Sequence, residues 1–229
     1  VFYSPSNTTS YLIEYKYNRM RARVDQDTLR TYRNKDLDFT SSHTITTLLN
    51  EVKKEANGKN YSMIIGCHAI GWVSKKAWPN INTRAFGGDT EEYQMENTEL
   101  AKGIEDAGIN MKYILFDDCY TANIETVYDL RNVTDIIIGS PTEVMSTGMP
   151  YKDIFQYLTD NCDYEKVIDG FYNFFSTYEY PYGTISIIDC SKVEQMASLM
   201  KEINSNTTVL SDTGGLQYLD GLSTHVFFD

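Results

Sequence analysis

Two segments of the chain end an apolar run on residues that can do chemistry. In MIIGCHAIGW (63–72) an aliphatic stretch gives way to Cys67 and His68; in YILFDDCYTANIETVYDL (113–130) another gives way to Asp117, Asp118 and Cys119. A thiol can attack a carbonyl carbon when a histidine manages the leaving-group proton and donors face the developing oxyanion. His68 suits the first task, and the backbone N–H groups of Ala69 and Cys119 are candidates for the second. Cys119 is the best placed of the four cysteines as a nucleophile. Thr121 or Asn123 can cap a following helix that carries Glu125 in its first turn, and a helix start stabilises a thiolate. The flanking carboxylates oppose this, so at least one must face something other than the sulfur. A carboxylate at the bottom of a neighbouring pocket would do so and would attract a cationic side chain. The plainer reading, a packing cysteine and a structural histidine, is the stronger one on residue types alone.

The other candidates have weaker cases. Cys67 adjoins His68, but neighbours on an extended strand point to opposite faces, which makes it a core residue. Cys162 and Cys190 read as packing residues, and four scattered cysteines without a C-x-x-C pair support neither a disulfide scaffold nor a zinc site. His43 stands at a helix start and His225 in a terminal strand. Trp72 can wall a cleft or simply bury area. Glu143 and Met145 follow a strand ending at Gly139, where they can line a pocket. The N-x-[ST] matches at Asn7, Asn132 and Asn206 matter only in a glycosylating compartment.

The elements that must position these residues alternate. TSYLIEYKY, YSMIIGC, MKYILFDD, TDIIIGS and GTISIID have the β-branched and aromatic content of strands. HTITTLLNEVKKEA, NTELAKGIEDA, NIETVYDL, YKDIFQYLT, YEKVIDGFYNFFSTY and SKVEQMASLMKEI have helical periodicity. Uninterrupted apolar strands between helices predict an α/β protein, a three-layer α/β/α sandwich around a mostly parallel sheet. Ligands of such sheets gather outside the carboxyl ends of the strands, where His68 and Cys119 both fall. The stretch 73–94 reads as a long irregular connection, a type that is often functional or cleavable.

A chain of 229 residues with 41% hydrophobic and 23% charged residues suits one domain spanning 1–229. Twenty basic against 32 acidic residues, a net charge of -12, disfavour nucleic acid or anionic lipid as partners and tolerate cationic substrates. No run approaches the roughly 18 apolar residues of a membrane span, and no signal peptide stands at Val1. Both ends have the look of strands already under way, as expected of a trimmed or processed domain. No D-x-[DN]-x-[DN]-G loop is present, so the acidic count permits calcium without specifying a site; no metal ligand set or cofactor is indicated.

YSMIIGCHAIGW, TRAFGGD and ILFDDCYTANIETVYDLRNVTDIIIGSPTEVMSTGMPY, in that order and with His68 51 residues before Cys119, resemble the clostripain-like family of clan CD cysteine peptidases, particularly members from gut Bacteroidales. With the preceding helix and TISIIDCSKVEQMA, the resemblance covers most of the chain. It implies a caspase-like fold, a Cys119–His68 dyad and cleavage of protein or peptide substrates after Arg or Lys, with Asp117 in the primary specificity pocket. Trp72, Glu143 and Thr147 join Asp117 as expected substrate-binding residues. It also implies a secreted or cell-envelope protein that cuts itself between the two motifs, where Lys75, Lys76 and Arg84 are the candidate sites.

Three positions depart from the family pattern. Ala69 stands where many relatives have glycine, Asp118 where they have alanine, and Thr147 where some have a second acidic residue before GMPY. Family members also have a first strand and helix before the point corresponding to Val1, so the chain is expected to lack these and its C-terminal end. The competing expectation is a catalytically silent domain of the same fold that binds peptides in the same cleft. A flavodoxin-like nucleotide binder lacks its glycine-rich loop here.

Overall fold

A computed structural model describes residues 1–4, 8–33, 38–56, 60–69, 71, 86–87, 93–159, 161–179, 181–208, 217–218 and 226–227. It divides into two compact units, Val1–Ser191 and Lys192–Asp229. The first opens with three antiparallel strands: β1 (Phe2–Tyr3), β2 (Thr9–Asn18) and β3 (Arg23–Arg33). β3, RVDQDTLRTYR, is polar on both faces and mostly exposed, so its sequence carries no apolar alternation that would mark a strand. It is a strand because β2 supplies a partner from Thr9↔Arg33 to Asn18↔Arg23, with an irregularity between Leu12 and Ile13. Asn18 closes the hairpin, accepting the N–H groups of Met20 and Arg21 at 3.1 Å each and donating to Asp25 at 2.7 Å. The strand-helix alternation therefore starts only after this hairpin, with α1 (Ser42–Ala56).

Next come β4 (Tyr61–Gly66), the two-residue strands β5 (His68–Ala69), β6 (Phe86–Gly87) and β7 (Gln94–Met95), and α2 (Asn97–Asp106). β8 (Met111–Asp117), α3 (Ile124–Leu130), β9 (Thr134–Gly139), α4 (Tyr151–Ile154), α5 (Tyr164–Ser176) and β10 (Ser186–Asp189) complete the unit. The main sheet has the order β10-β9-β8-β4, parallel from β4 through β9 and antiparallel at β10, which is the mostly parallel sheet expected. β5, β6 and β7 form a separate antiparallel sheet, so the described parts of 73–94 include strand where an irregular connection is expected. Phe86 anchors them, buried edge-on against Phe116 with ring centroids 5.9 Å apart.

β8 is buried on both faces, which is why its sequence is apolar without interruption. Tyr113 and Leu115 join Ile138 in a cluster with Ile154, Leu158, Val167, Phe171 and Phe175, and the Tyr113 hydroxyl donates to the Leu158 carbonyl at 2.9 Å. Ile114 and Phe116, fully buried, point to the other face. Each of these apolar side chains contributes about 1.5–3 kcal/mol by leaving water. The second unit contains α6 (Val193–Asn206) and an antiparallel pair, β11 (Gln217–Tyr218) and β12 (Val226–Phe227).

α1 and α2 approach closely at Gly103. A Cβ there would lie 2.6 Å from the Ile45 Cβ and 2.9 Å from the Ser42 carbonyl oxygen. Alanine is intrinsically the better helix residue by about 1 kcal/mol, yet overpacking typically costs about 1–3 kcal/mol. Gly103→Ala is therefore expected to lower the melting temperature by several degrees, at about 2–4 °C per kcal/mol for a protein of this size. A rise measured by differential scanning calorimetry would show that the two helices separate freely.

Candidate active site

β4 and β8 are parallel neighbours, and Gly66 stands opposite Asp117 as the last pair of their ladder. His68 and Cys119 each lie two residues beyond that pair, just after the ends of two strands that run about 4.8 Å apart. The intervening residues touch: the Cys67 N–H donates to Asp118 Oδ1 at 2.6 Å and the Cys67 thiol to Asp118 Oδ2 at 3.5 Å. The two sequence motifs are thus joined through the residues immediately before His68 and Cys119.

His68 is exposed and leaves the main sheet on β5, where it pairs with Gly87. Gly87 has φ +138°, and a Cβ would collide with the Tyr93 carbonyl, so only glycine fits opposite the histidine. Ala69 is buried, pairs with Phe86 and has no positive φ; alanine is therefore comfortable at this position.

Cys119 is half-buried in a loop, not at a helix start. α3 begins five residues later, with the Asn123 side chain accepting the Thr126 N–H at 2.8 Å and Glu125 in the first turn, as the sequence suggests. In between, Tyr120 has φ +59°, a left-handed conformation that a bulky residue adopts only when its surroundings impose it. The 140–144 loop imposes it: the Tyr120 N–H donates to the Thr142 carbonyl at 3.0 Å and the Ala122 N–H to that of Ser140 at 3.1 Å. The Val144 N–H donates to Cys119 Sγ at 3.3 Å. Burial, then the charges of Glu143, Asp118 and Asp117, push the Cys119 thiol above its ordinary value against the help of Val144. The expected lowering by a helix dipole is absent because the helix begins too far away.

Asp117 and Asp118 both face away from the sulfur. Asp117 accepts the Met149 N–H and the Tyr151 hydroxyl, each at 2.9 Å. Gly148, with φ +67°, lies so close that a Cβ would be 2.8 Å from Asp117 Oδ2. The exposed Thr147 precedes it. Glu143 is exposed and receives the Tyr120 hydroxyl, whereas Met145 packs on the core cluster. Asp118 is 1% exposed, and burial raises its carboxyl to about 7.

Cys67 departs from the alternation expected of a strand. It is exposed rather than in the core, and its thiol, pushed strongly upward by burial of the sulfur and then by Asp118, serves as a donor. The alternation of faces expected for a straight strand fails because the chain turns off the sheet at this residue. Asp118, an extra charge beside Cys119 in the sequence, is instead a buried acceptor for the neighbouring strand. Cys190 is buried, and Cys162 packs against the core cluster. Trp72, Lys75, Lys76, Arg84 and His225 lie outside the described residues. Among the described residues no group of three His, Cys, Asp or Glu could hold a metal ion, and no helix is long and apolar enough to cross a membrane.

The sequence model of the clostripain family matches residues 11–218. The chain belongs to the clostripain family. The fold of this clostripain-family chain is similar to that of solved structures. A secreted C11 cysteine protease from Bacteroides thetaiotaomicron, "iotapain", is 45% identical over 96% of this chain and 63% of its own, with a TM-score of 0.85. A clostripain from Bacteroides thetaiotaomicron ATCC 29148, in complex with the peptide inhibitor BTN-VLTK-AOMK, is 54% identical over 59% of this chain and 61% of its own, with a TM-score of 0.56. An inactive zymogen C11 protease from Parabacteroides distasonis is 25% identical over 96% of this chain and 61% of its own, with a TM-score of 0.72. This clostripain-family chain thus spans 63%, 61% and 61% of these proteins. No protein of curated function matches it significantly in sequence.

Asp118 keeps its proton to about pH 7 in the folded protein, against an ordinary value of 3.8. Between these values the folded state binds more protons than the unfolded one, so this group lowers stability as pH rises from about 4 to 7, and the loss persists above. Asp118→Asn removes the titration. Its melting temperature relative to wild type is expected to be several degrees more favourable at pH 8 than at pH 4.5, at about 2–4 °C per kcal/mol. A difference that does not change with pH would show that the buried carboxyl titrates normally.

Proposed function

We propose that the chain is the catalytic part of a secreted cysteine endopeptidase that cleaves proteins after Lys or Arg through Cys119 and His68. The observation that carries this reading is the placement of both residues just past the last paired residues of two adjacent parallel strands. Cys119 Sγ attacks the scissile carbonyl carbon, giving its proton to His68, and the oxyanion forms against the N–H groups of Ala69 and Cys119. The tetrahedral intermediate collapses to a thioester as His68 protonates the departing amine, and water then releases the acid with the same histidine as base. A raised thiol value suits this order, because the proton leaves only when the base and the carbonyl are both in place.

Asp117 forms the base of the pocket for the basic side chain, with the exposed Thr147 and Glu143 nearby as further substrate-binding residues; the sequence adds Trp72 to this set. The two Asp117 oxygens accept one hydrogen bond each and keep lone pairs for a cation. The inhibitor bound to the Bacteroides thetaiotaomicron clostripain, with K as its last peptide letter, supports this preference. Self-cleavage at Lys75, Lys76 or Arg84 activates the enzyme, a reading supported by the solved inactive zymogen.

Cys119→Ala is expected to abolish hydrolysis of a lysyl peptide amide, and His68→Ala to lower it on the order of a hundredfold or more. Intact-mass measurement should find two fragments in active protein and one chain in Cys119→Ala. Labelling of Cys119 by a basic acyloxymethyl ketone separates this enzyme from a silent peptide-binding domain, whose thiol would stay unmodified. Asp117→Asn should reduce kcat/KM for lysyl and arginyl substrates far more than for neutral ones; equal losses would mean that Asp117 only supports the 148–151 backbone.

A further inference from the structure

The contact between Asp118 and Cys67 lies directly behind the dyad but belongs to neither member of it. Asp118 is held at the end of β8, one residue past the pair Gly66↔Asp117, and is all but excluded from water. Its two oxygens take both donors of Cys67, the backbone N–H at 2.6 Å and the thiol at 3.5 Å. Cys67 is the single residue between β4 and β5, the point where the chain quits the parallel ladder to carry His68 to its pairing with Gly87. Beyond Gly66 no ladder residue of β8 remains opposite, so a side chain of the neighbouring strand takes over the N–H.

We propose that Asp118 is a positioning residue for His68: its carboxylate fixes the turn at Cys67 and so sets where the imidazole stands relative to the Cys119 sulfur. This rests on the reading of Cys119 and His68 as a dyad. Deleting the acceptor leaves the Cys67 N–H without its partner at the point where β5 begins, and an acid/base group displaced by about an ångström can lose on the order of a hundredfold in rate. Asp118 also bears on the sulfur with the opposite sign. Together with Asp117 and Glu143 it disfavours the Cys119 thiolate. Removing its charge should therefore make the thiol itself more reactive while making turnover slower. A residue that merely held the fold together would impair both.

The test measures turnover of a lysyl peptide amide beside the pH dependence of Cys119 alkylation by iodoacetamide, located by peptide mass spectrometry to separate Cys119 from Cys67. Asp118→Ala is expected to lower kcat about tenfold or more with KM changed less, while alkylation of Cys119 persists and its midpoint moves to lower pH. Asp118→Asn, which keeps an oxygen for the Cys67 N–H, should recover most of kcat while retaining the shifted midpoint. Should Asp118→Ala fail to fold, Asp118→Ser takes its place, its hydroxyl being too short to span the gap. The proposal is overturned if kcat of the truncated variant stays within about threefold of wild type, if turnover and alkylation fall together, or if Asp118→Asn is no better than the truncation. Loss of all turnover in Cys119→Ala accompanies each of these outcomes when the dyad reading holds; turnover surviving in Cys119→Ala would overturn that reading and the positioning role with it.

Discussion

Parallel strands leave their sheet at the same edge, and the site depends on the pairing of Gly66 with Asp117 at the end of β4 and β8. Beyond that pair each chain must find new partners for its backbone within one or two residues. On one side Cys67 gives its N–H to Asp118 and the chain turns into β5; on the other, the 119–122 segment runs against the 140–144 loop. His68 and Cys119 sit where these two solutions begin. Glycine is also required on both sides of the site, at Gly87, which pairs with His68 and is closed in by the Tyr93 carbonyl, and at Gly148 against Asp117.

Three carboxylates surround a sulfur in this arrangement, and each is tied to something else. Asp117 faces Met149 and Tyr151, Asp118 faces Cys67, and Glu143 faces Tyr120. The local geometry is unfavourable for folding in two identifiable ways: a buried acid that resists ionisation and a tyrosine with positive φ. Conflicts of this kind concentrate at functional sites, where the surrounding structure must hold what local preference would not choose.

Sequence pattern reveals the main sheet because β4, β8 and β9 are long enough for apolar content to show, and it reveals α3 because Asn123 and Glu125 are local start signals. It misses β3, whose polar residues become a strand only because β2 lies beside them. Strands of two residues such as β5, β6 and β7 are too short to carry any period. The positions of His68 and Cys119 at strand ends were legible, but the environment of the sulfur was not. Residues 118 and 67 meet only after folding, and the upward shift at Cys119 is set by burial and nearby carboxylates against a hydrogen bond from Val144, 25 residues away. Alternation places Cys67 in the core because it assumes that a strand continues straight, whereas this chain turns off the sheet there.

The raised thiol value has a consequence for the chemical durability of the protein. Peroxides and disulfides attack thiolates far faster than thiols, so oxidation to sulfenic acid follows the fraction already ionised. Cys67, Cys119 and Cys190 are all held above the ordinary value, in each case first by burial. A sulfur kept un-ionised by burial is shielded from adventitious oxidants. Low resting nucleophilicity thereby acts as a form of redox protection, achieved by desolvation and neighbouring negative charge without a disulfide or a reducing partner.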